Sequence, residues 1–315
     1  MRIWHLPRRR LRGGAVRGES MKRRYLQIIL AAVLFLLALG LTLYPVVSNW
    51  YNQRHQSQIQ TAYQDVLEQT DTAELERIRE QAVAYNAAIT PGAAEEAYTQ
   101  ESIIAASDDY VNRLDLGGTG IMGYVVIPKI DVDLPIYHGT GSDSLDRGTG
   151  HLLGSSLPVG GEGTHTIITG HSGMASQKMF TDLGQLQEGD VFYLRVLDET
   201  LAYEVKAVHT VLPHDTTYLG IVPGQDLCTL VTCTPTGINT HRLLVQGSRI
   251  PYEPTIEAQN VESEHEVAAS SHWEDQYWLG IRLGLVAMVS MVLLLNVFLY
   301  LRKKKPQKGG RYVRK

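Results

Sequence analysis

Hydrophobic positions along the chain follow three patterns. Two long apolar runs lie near the ends: "YLQIILAAVLFLLALGLTLYPVV", Tyr25 to Val47, and "LGLVAMVSMVLLLNVFLYL", Leu283 to Leu301, both free of charge. Each is long enough to cross roughly 30 Å of hydrocarbon as a helix. Aromatic residues edge them, Tyr44 and Trp50 on the first and Trp273, Tyr277 and Trp278 on the second, where amphipathic rings favour a membrane interface. Beyond the first run, "QSQIQTAYQDVLEQTDTAELERIREQAVAYNAAI" spaces Ile59, Tyr63, Val66 and Leu67 at helical intervals and predicts one or two helices ending near Pro91. A solvated stalk holding the remainder of the chain off the membrane is one role for them. The stretch 92–120 is polar, acidic and weakly periodic, a linker with a short helix.

From Met122 the period shortens. "MGYVVIPKI", "DLPIYHG", "HTIITG", "DVFYLRVL", "LAYEVKAVHTVL", "LCTLVTC" and "HRLLVQGSRI" are β-branched and aromatic runs punctuated by Gly, Pro, Asp and Asn. Short strands at this spacing predict a sandwich or closed barrel, and a small β-barrel is favoured. Only "SQKMFTDLGQL" among them reads as helical. No repeat of 20 to 50 residues is present, which argues against a solenoid or propeller.

Charge sharpens this picture. The net charge of −4 hides two basic ends: residues 1–24 carry nine Lys or Arg against one acid, and 302–315 carry eight against none. Between them 12 bases face 32 acids. The positive-inside rule then puts both termini in the cytoplasm and 48–276 outside, in a two-span protein of the cell membrane. A signal peptide is the rival reading of the first run, but the run is too long and no small-residue cleavage site follows. Met21, directly ahead of it, offers a second start. The acidic middle argues against a nucleic-acid partner, since it lacks a basic phosphate-binding face.

The two cysteines, Cys228 and Cys233, share one strand-like run. A disulfide is the plain reading in an exported domain. At about 3.3 Å per residue, however, their Cα atoms would stand roughly 16 Å apart, against a disulfide limit of roughly 7 Å, and they would face opposite sides. A free thiol is therefore expected, with Cys228 in the core. Cys233 ends its strand before a loop rich in Thr, Pro, Gly and Asn, and Arg242 opens the next strand. Paired as a hairpin, the two would set a guanidinium beside the sulfur, where it could donate to an oxyanion or orient a substrate backbone. A thiol nucleophile also needs a partner for its proton. His171, in the Gly-flanked turn of "TIITGHSGM", is the best placed. His241 adjoins Arg242 and must point the other way. His138, His151, His165, His209 and His214 lack such a setting and read as surface or packing residues. No HExxH or CxxC spacing is present, so no metal site and no cofactor is expected.

"TGHSG", then "LVTCTP", then an arginine nine residues past the cysteine resemble the sortases, cysteine transpeptidases of the Gram-positive cell surface. "TLVTC", Thr229 to Cys233, fits the family signature TLxTC. "GYVVIPKIDVDLPIYHGT", "GTGHLLGSSLPVGGEGTHTIITGHSG" and "MFTDLGQLQEGDVF" look like the class C, pilus-assembling members. The resemblance covers roughly 120–251. It implies an eight-stranded sortase barrel with N-terminal helices, a mostly β fold flanked here by the two transmembrane helices. It also implies Cys233 as nucleophile, His171 as general acid/base and Arg242 as positioning and oxyanion group. The substrate class would be an LPxTG-like C-terminal sorting signal, cleaved between Thr and Gly through a thioacyl enzyme, with a pilin lysine amine as acceptor. A peptidoglycan-precursor amine is the alternative acceptor. Hydrolysis of the thioacyl enzyme and a non-catalytic membrane scaffold are weaker readings.

The expected organisation is a basic cytoplasmic segment (1–24), a transmembrane helix (25–47), a helical stalk with room for a lid (48–120), the catalytic barrel (121–252), a linker (253–276), a second transmembrane helix (277–301) and a basic tail (302–315). The Asp-Pro-aromatic lid motif common in class C is absent. Thr90-Pro91-Gly92 has the proline alone, and Asp108-Asp109-Tyr110 the acid and ring without it.

Overall fold

The structure is a computed structural model, and it describes residues 15–90, 92–99, 108–174, 177–254, 257 and 272–303. The chain divides into two compact units, one spanning 46–276 and one drawn from the stretches on either side of it. Six α-helices are described: α1 (Ala15–Gln69), α2 (Thr72–Ala88), α3 (Ala93–Thr99), α4 (Asp108–Val111), α5 (Ser142–Leu145) and α6 (His272–Lys303). Eight strands run in chain order β1 (Ile121–Ile127), β2 (Val132–His138), β3 (Thr149–His151), β4 (Thr164–Thr169), β5 (Val191–Val196), β6 (Glu199–Val211), β7 (Asp226–Thr234) and β8 (His241–Ile250).

The strands close into a barrel in the order β1-β2-β3-β4-β7-β8-β6-β5, with β5 returning to β1. The β2–β3 and β4–β7 neighbours are parallel and the rest antiparallel. Alternation sorts side chains between the two faces. On β7, Cys228 and Leu230 enter the central core while Val231 joins an outer cluster; on β8, Leu243 and Val245 point in and Leu244 out. Because helices and loops cover the outside, these strands are apolar on both faces and lose the two-residue rhythm of a half-wet sheet.

The last turns of α1, from Ile59 to Leu67, and one face of α2 pack on the barrel. Tyr63 is buried edge-on against Tyr124, with ring centroids 5.5 Å apart. Leu75 and Ala82 of α2 are buried in the same core. The Asn86 amide locks α2 down by donating to the Leu157 carbonyl (3.1 Å) and accepting from its N–H (2.7 Å).

Three sequence expectations change. Strand β3 goes unseen in the sequence pattern because three residues are too few to show a period. "SQKMFTDLGQL" forms turns and one 3-10 turn, Leu183–Gln185, over its described residues, with Met179 at a left-handed φ of 44° that no α-helix accepts. The third concerns the membrane. Both apolar runs are helical over their described residues, and Leu36, Leu283 and Leu294 are among their exposed side chains. Yet among the described residues no helix is long and apolar enough to cross a membrane. The fold therefore does not supply the two transmembrane helices, and anchoring rests on the sequence pattern alone.

A buried polar network ties α4 to the barrel. His151 is fully buried; its Nδ1 lies 2.8 Å from Tyr110 Oη, and its Nε2 lies 2.9 Å from the Ser156 carbonyl and 3.1 Å from Ser155 Oγ. The Gly139 N–H donates to the same Tyr110 oxygen at 3.0 Å. Burial drives the His151 pKa from 6.5 down to about 4; the Ser156 carbonyl works against this and nearby His138 adds to it. Above pH 6.5 the ring is neutral folded and unfolded. Between about 6.5 and 4 the unfolded chain takes a proton that the folded chain refuses, so stability should fall by about 1.4 kcal/mol per pH unit across that window. Urea midpoints at pH 7, 5.5 and 4.5 check this, and His151→Gln should flatten that part of the slope.

Candidate active site

Three adjacent strands bring the nominated residues to one rim. Strand β7 lies between β4, parallel to it, and β8, antiparallel. Cys233 pairs directly with Arg242, so their side chains lie on the same face of adjacent strands. Thr169 is level with Val231, which puts His171, two residues further on, level with Cys233. Val231 and Leu244, each two residues from a site residue, belong to the outer cluster, so Cys233 and Arg242 open on the barrel's outer face. Cys233 is half-buried, while Cys228 faces Gly247 inside the barrel and is fully buried. Both thiols are free. Burial, and then Asp226, push the Cys228 thiol well above its ordinary range, which makes it inert.

The His171 loop is bonded to β7 on both sides of the histidine. The Gly170 N–H donates to the Val231 carbonyl (3.0 Å), Thr232 Oγ1 donates to the Gly170 carbonyl (2.7 Å), and Ser172 Oγ donates to the carbonyl of Cys233 itself (2.7 Å). Both motif glycines are sterically required. A Cβ on Gly170 would come within 2.7 Å of the Phe180 ring, and one on Gly173 within 2.6 Å of Thr236, at a φ of 74°. Among the described residues no hydrogen bond joins Cys233 to His171; catalytic contacts commonly tighten only with substrate bound. The Arg242 Nη1 makes long contacts to the Asn239 (3.4 Å) and His241 (3.3 Å) carbonyls, and the half-buried guanidinium has further N–H donors to offer a ligand.

Among the described residues, only the Ser172 bond couples the histidine loop directly to the peptide group of Cys233. Ser172→Ala removes about 1 kcal/mol of net hydrogen bonding and lets the loop drift, so the rate of reaction at the Cys233 thiol should fall about 5- to 10-fold with the fold intact. Single-turnover mass spectrometry against circular dichroism separates the two.

Four other histidines make contacts away from the site, and His214 is exposed. His165 is buried between the Gly220 carbonyl (2.8 Å) and Thr229 Oγ1 (2.7 Å), and burial lowers its pKa against the pull of that carbonyl. The first threonine of TLVTC therefore fastens β7 to β4. His138 bonds to the Gly120 and Arg113 carbonyls, His209 stacks on Tyr218 at 3.7 Å, and His241 lies 3.0 Å from Thr240. Among the described residues no group of three or more His, Cys, Asp or Glu could hold a metal.

Helix α3 covers the outer apolar patch beside the site, with Ala94 and Tyr98 against Leu152, Ile167, Val231 and Leu244. Gly154 permits the approach, since a Cβ there would lie 2.6 Å from the Ala93 carbonyl. Tyr110, the ring of the Asp108-Asp109-Tyr110 stretch, is held by His151 and Gly139 and takes no part in the site. Pro91 lies outside the described residues.

The closed β-barrel thus carries Cys233 and Arg242 on adjacent strands, with the His171 loop bonded to the cysteine strand. The sortase domain model matches residues 125–250. A crystal structure of Streptococcus pneumoniae sortase C, described as informative on catalysis and pilin substrate specificity, is 44% identical; the match covers 62% of this chain and 97% of that one, with a TM-score of 0.57. Sortase C-1 of Actinomyces oris is 43% identical over 57% of this chain and 99% of its own, with a TM-score of 0.52. Sortase D of Bacillus subtilis (strain 168) is 30% identical over 131 residues, 41% of this chain and 63% of that protein. The matched part spans about three fifths of the length of the curated relatives. The chain belongs to the sortase family, and the solved structures it resembles include several sortases C.

Proposed function

We propose that this chain is a class C-like transpeptidase that joins pilin subunits. The observation that carries this reading is the cross-strand pairing of Cys233 with Arg242, with His171 tied level to them through Ser172. Cys233 Sγ attacks the Thr carbonyl of an LPxTG-like sorting signal, the Thr–Gly bond breaks, and a thioester forms. His171 takes the thiol proton and passes it to the departing glycine amine. Arg242 donates to the oxyanion or fixes the substrate backbone. A pilin lysine amine then attacks the thioester, forming an isopeptide bond and returning the thiolate. The amine outcompetes water where the site is dry and the acceptor is held close.

The charge-free runs at 25–47 and 283–301, each beside a basic end, support anchoring in the cell membrane with the barrel outside and both termini in the cytoplasm. Two tethers would keep the barrel near membrane-bound substrates and raise their effective concentration. The lie of α3 over the patch beside Cys233 supports a lid role for it.

The full chain in detergent, given an LPxTG peptide and a lysine-bearing pilin fragment, should gain the LPxT mass and then pass it to lysine. Transfer to a peptidoglycan-type amine but not to lysine would favour cell-wall anchoring. Release of free acid with amine present would mark a hydrolase.

A further inference from the structure

A carboxylate that no motif marks stands beside His171. Asp146, in the turn that closes α5, places Oδ1 3.7 Å from His171 Nε2. That is too long for a hydrogen bond and short enough for a charge pair. The turn is built to hold it there. The Asp146 N–H donates to the Ser142 carbonyl at 2.9 Å. Its own carbonyl accepts from Gln177 Nε2 at 3.2 Å, and Gln177 lies on the same loop as His171, six residues further on. The next residue turns the opposite way: the Arg147 guanidinium sits 4.3 Å over the Tyr137 ring. Gly148 is seated so closely on β2 that a Cβ would come within 2.6 Å of the Pro135 carbonyl. Arg147 and Gly148 thus pin the turn to β2, and Asp146 is left facing the histidine loop.

We infer that Asp146 is the positioning residue for His171, holding the ring by its Nε2 side and stabilising the imidazolium that carries the proton between thiol and leaving amine. Nδ1 is then the nitrogen that works on the reacting groups. The purpose of this pairing, though not its geometry, rests on the transpeptidase reading. The other charged or titratable groups around the ring are Cys233 on β7, Arg242 on β8 and Lys178 on the ring's own loop, whose ammonium lies 3.6 Å from buried Asp182. Lys178 is offset by Asp182, and Asp146 is the carboxylate paired with the ring itself. Its carboxylate is largely exposed, so solvent screens the pair and the effect is modest.

The test is a nuclear magnetic resonance spectrum of the full chain in detergent, with histidines labelled at the ring nitrogens and the His171 signals assigned by their loss in His171→Gln. Run in a Cys233→Ala background, it needs no substrate. Asp146→Asn should move the His171 Nδ1 and Nε2 signals, which report how the ring is held and which nitrogen carries the proton, and Asp146→Glu should bring them most of the way back. In chains that keep Cys233, Asp146→Asn should lower kcat for thioacylation about 3-fold with KM unchanged. Unchanged His171 ring signals overturn the inference, even if Asp146→Asn is slower. Ring signals that move in Asp146→Asn while the wild-type chain forms no thioacyl enzyme uphold the pairing and overturn the transpeptidase reading instead.

Discussion

Cys233→Ala should abolish covalent capture of an LPxTG peptide, lowering turnover by at least about 10⁴-fold, because a methyl group cannot attack a carbonyl and no other thiol can substitute. Cys228 is the internal control. It is five residues away on the same strand, fully buried and facing the barrel interior, with its thiol pushed up by burial. Cys228→Ala should leave acylation intact and cost about 1 kcal/mol of stability, the worth of one buried heavy atom. Intact-mass analysis of both variants after peptide addition decides the matter. Adduct surviving in Cys233→Ala would remove the cysteine from the chemistry altogether.

Arg242→Ala should be the next most severe change, lowering kcat/KM by about 10²- to 10³-fold, the usual cost of removing one oxyanion donor. Arg242 stands opposite Cys233 across the β7–β8 ladder, and among the described residues its guanidinium makes only long contacts to two backbone carbonyls, so little of the fold depends on it. Arg242→Lys keeps the charge but replaces a rigid planar fork with a flexible ammonium, and it should recover only part of the loss. Steady-state kinetics with an LPxTG peptide show how the loss divides. A fall in kcat with KM unchanged assigns Arg242 to the transition state. A rise in KM alone assigns it to holding the peptide backbone.

Most of the site was legible because its residues lie near one another in the chain. The cysteine, the turn and the arginine fit within "LVTCTPTGINTHR", and a hairpin is the simplest way to fold that stretch. His171 stood out by its glycines, each of which is needed sterically beside Phe180 or Thr236. Asp146 carried no signal. It is 25 positions from His171, in a Ser- and Asp-rich turn that reads as solvated surface, and only the side-by-side pairing of β2, β3 and β4 brings it near. The Tyr110–His151 contact was hidden for the same reason. A lone histidine in "GTGHLLG" looks like surface until the barrel closes over it.

The sequence by itself determined the strand-rich barrel segment, the amphipathic helices before it, the opposed faces of Cys228 and Cys233, and the nomination of the Cys, His and Arg trio. Each of these follows from local periodicity, from turn chemistry, or from a motif contained in one or two elements. The tertiary structure decided the rest: strand order, the three-residue β3, the packing of α1 and α2 against the barrel, the cover that α3 gives the rim, and the carboxylate beside His171. These depend on contacts between residues far apart in the chain, and burial of both strand faces erases the alternation that would have announced them.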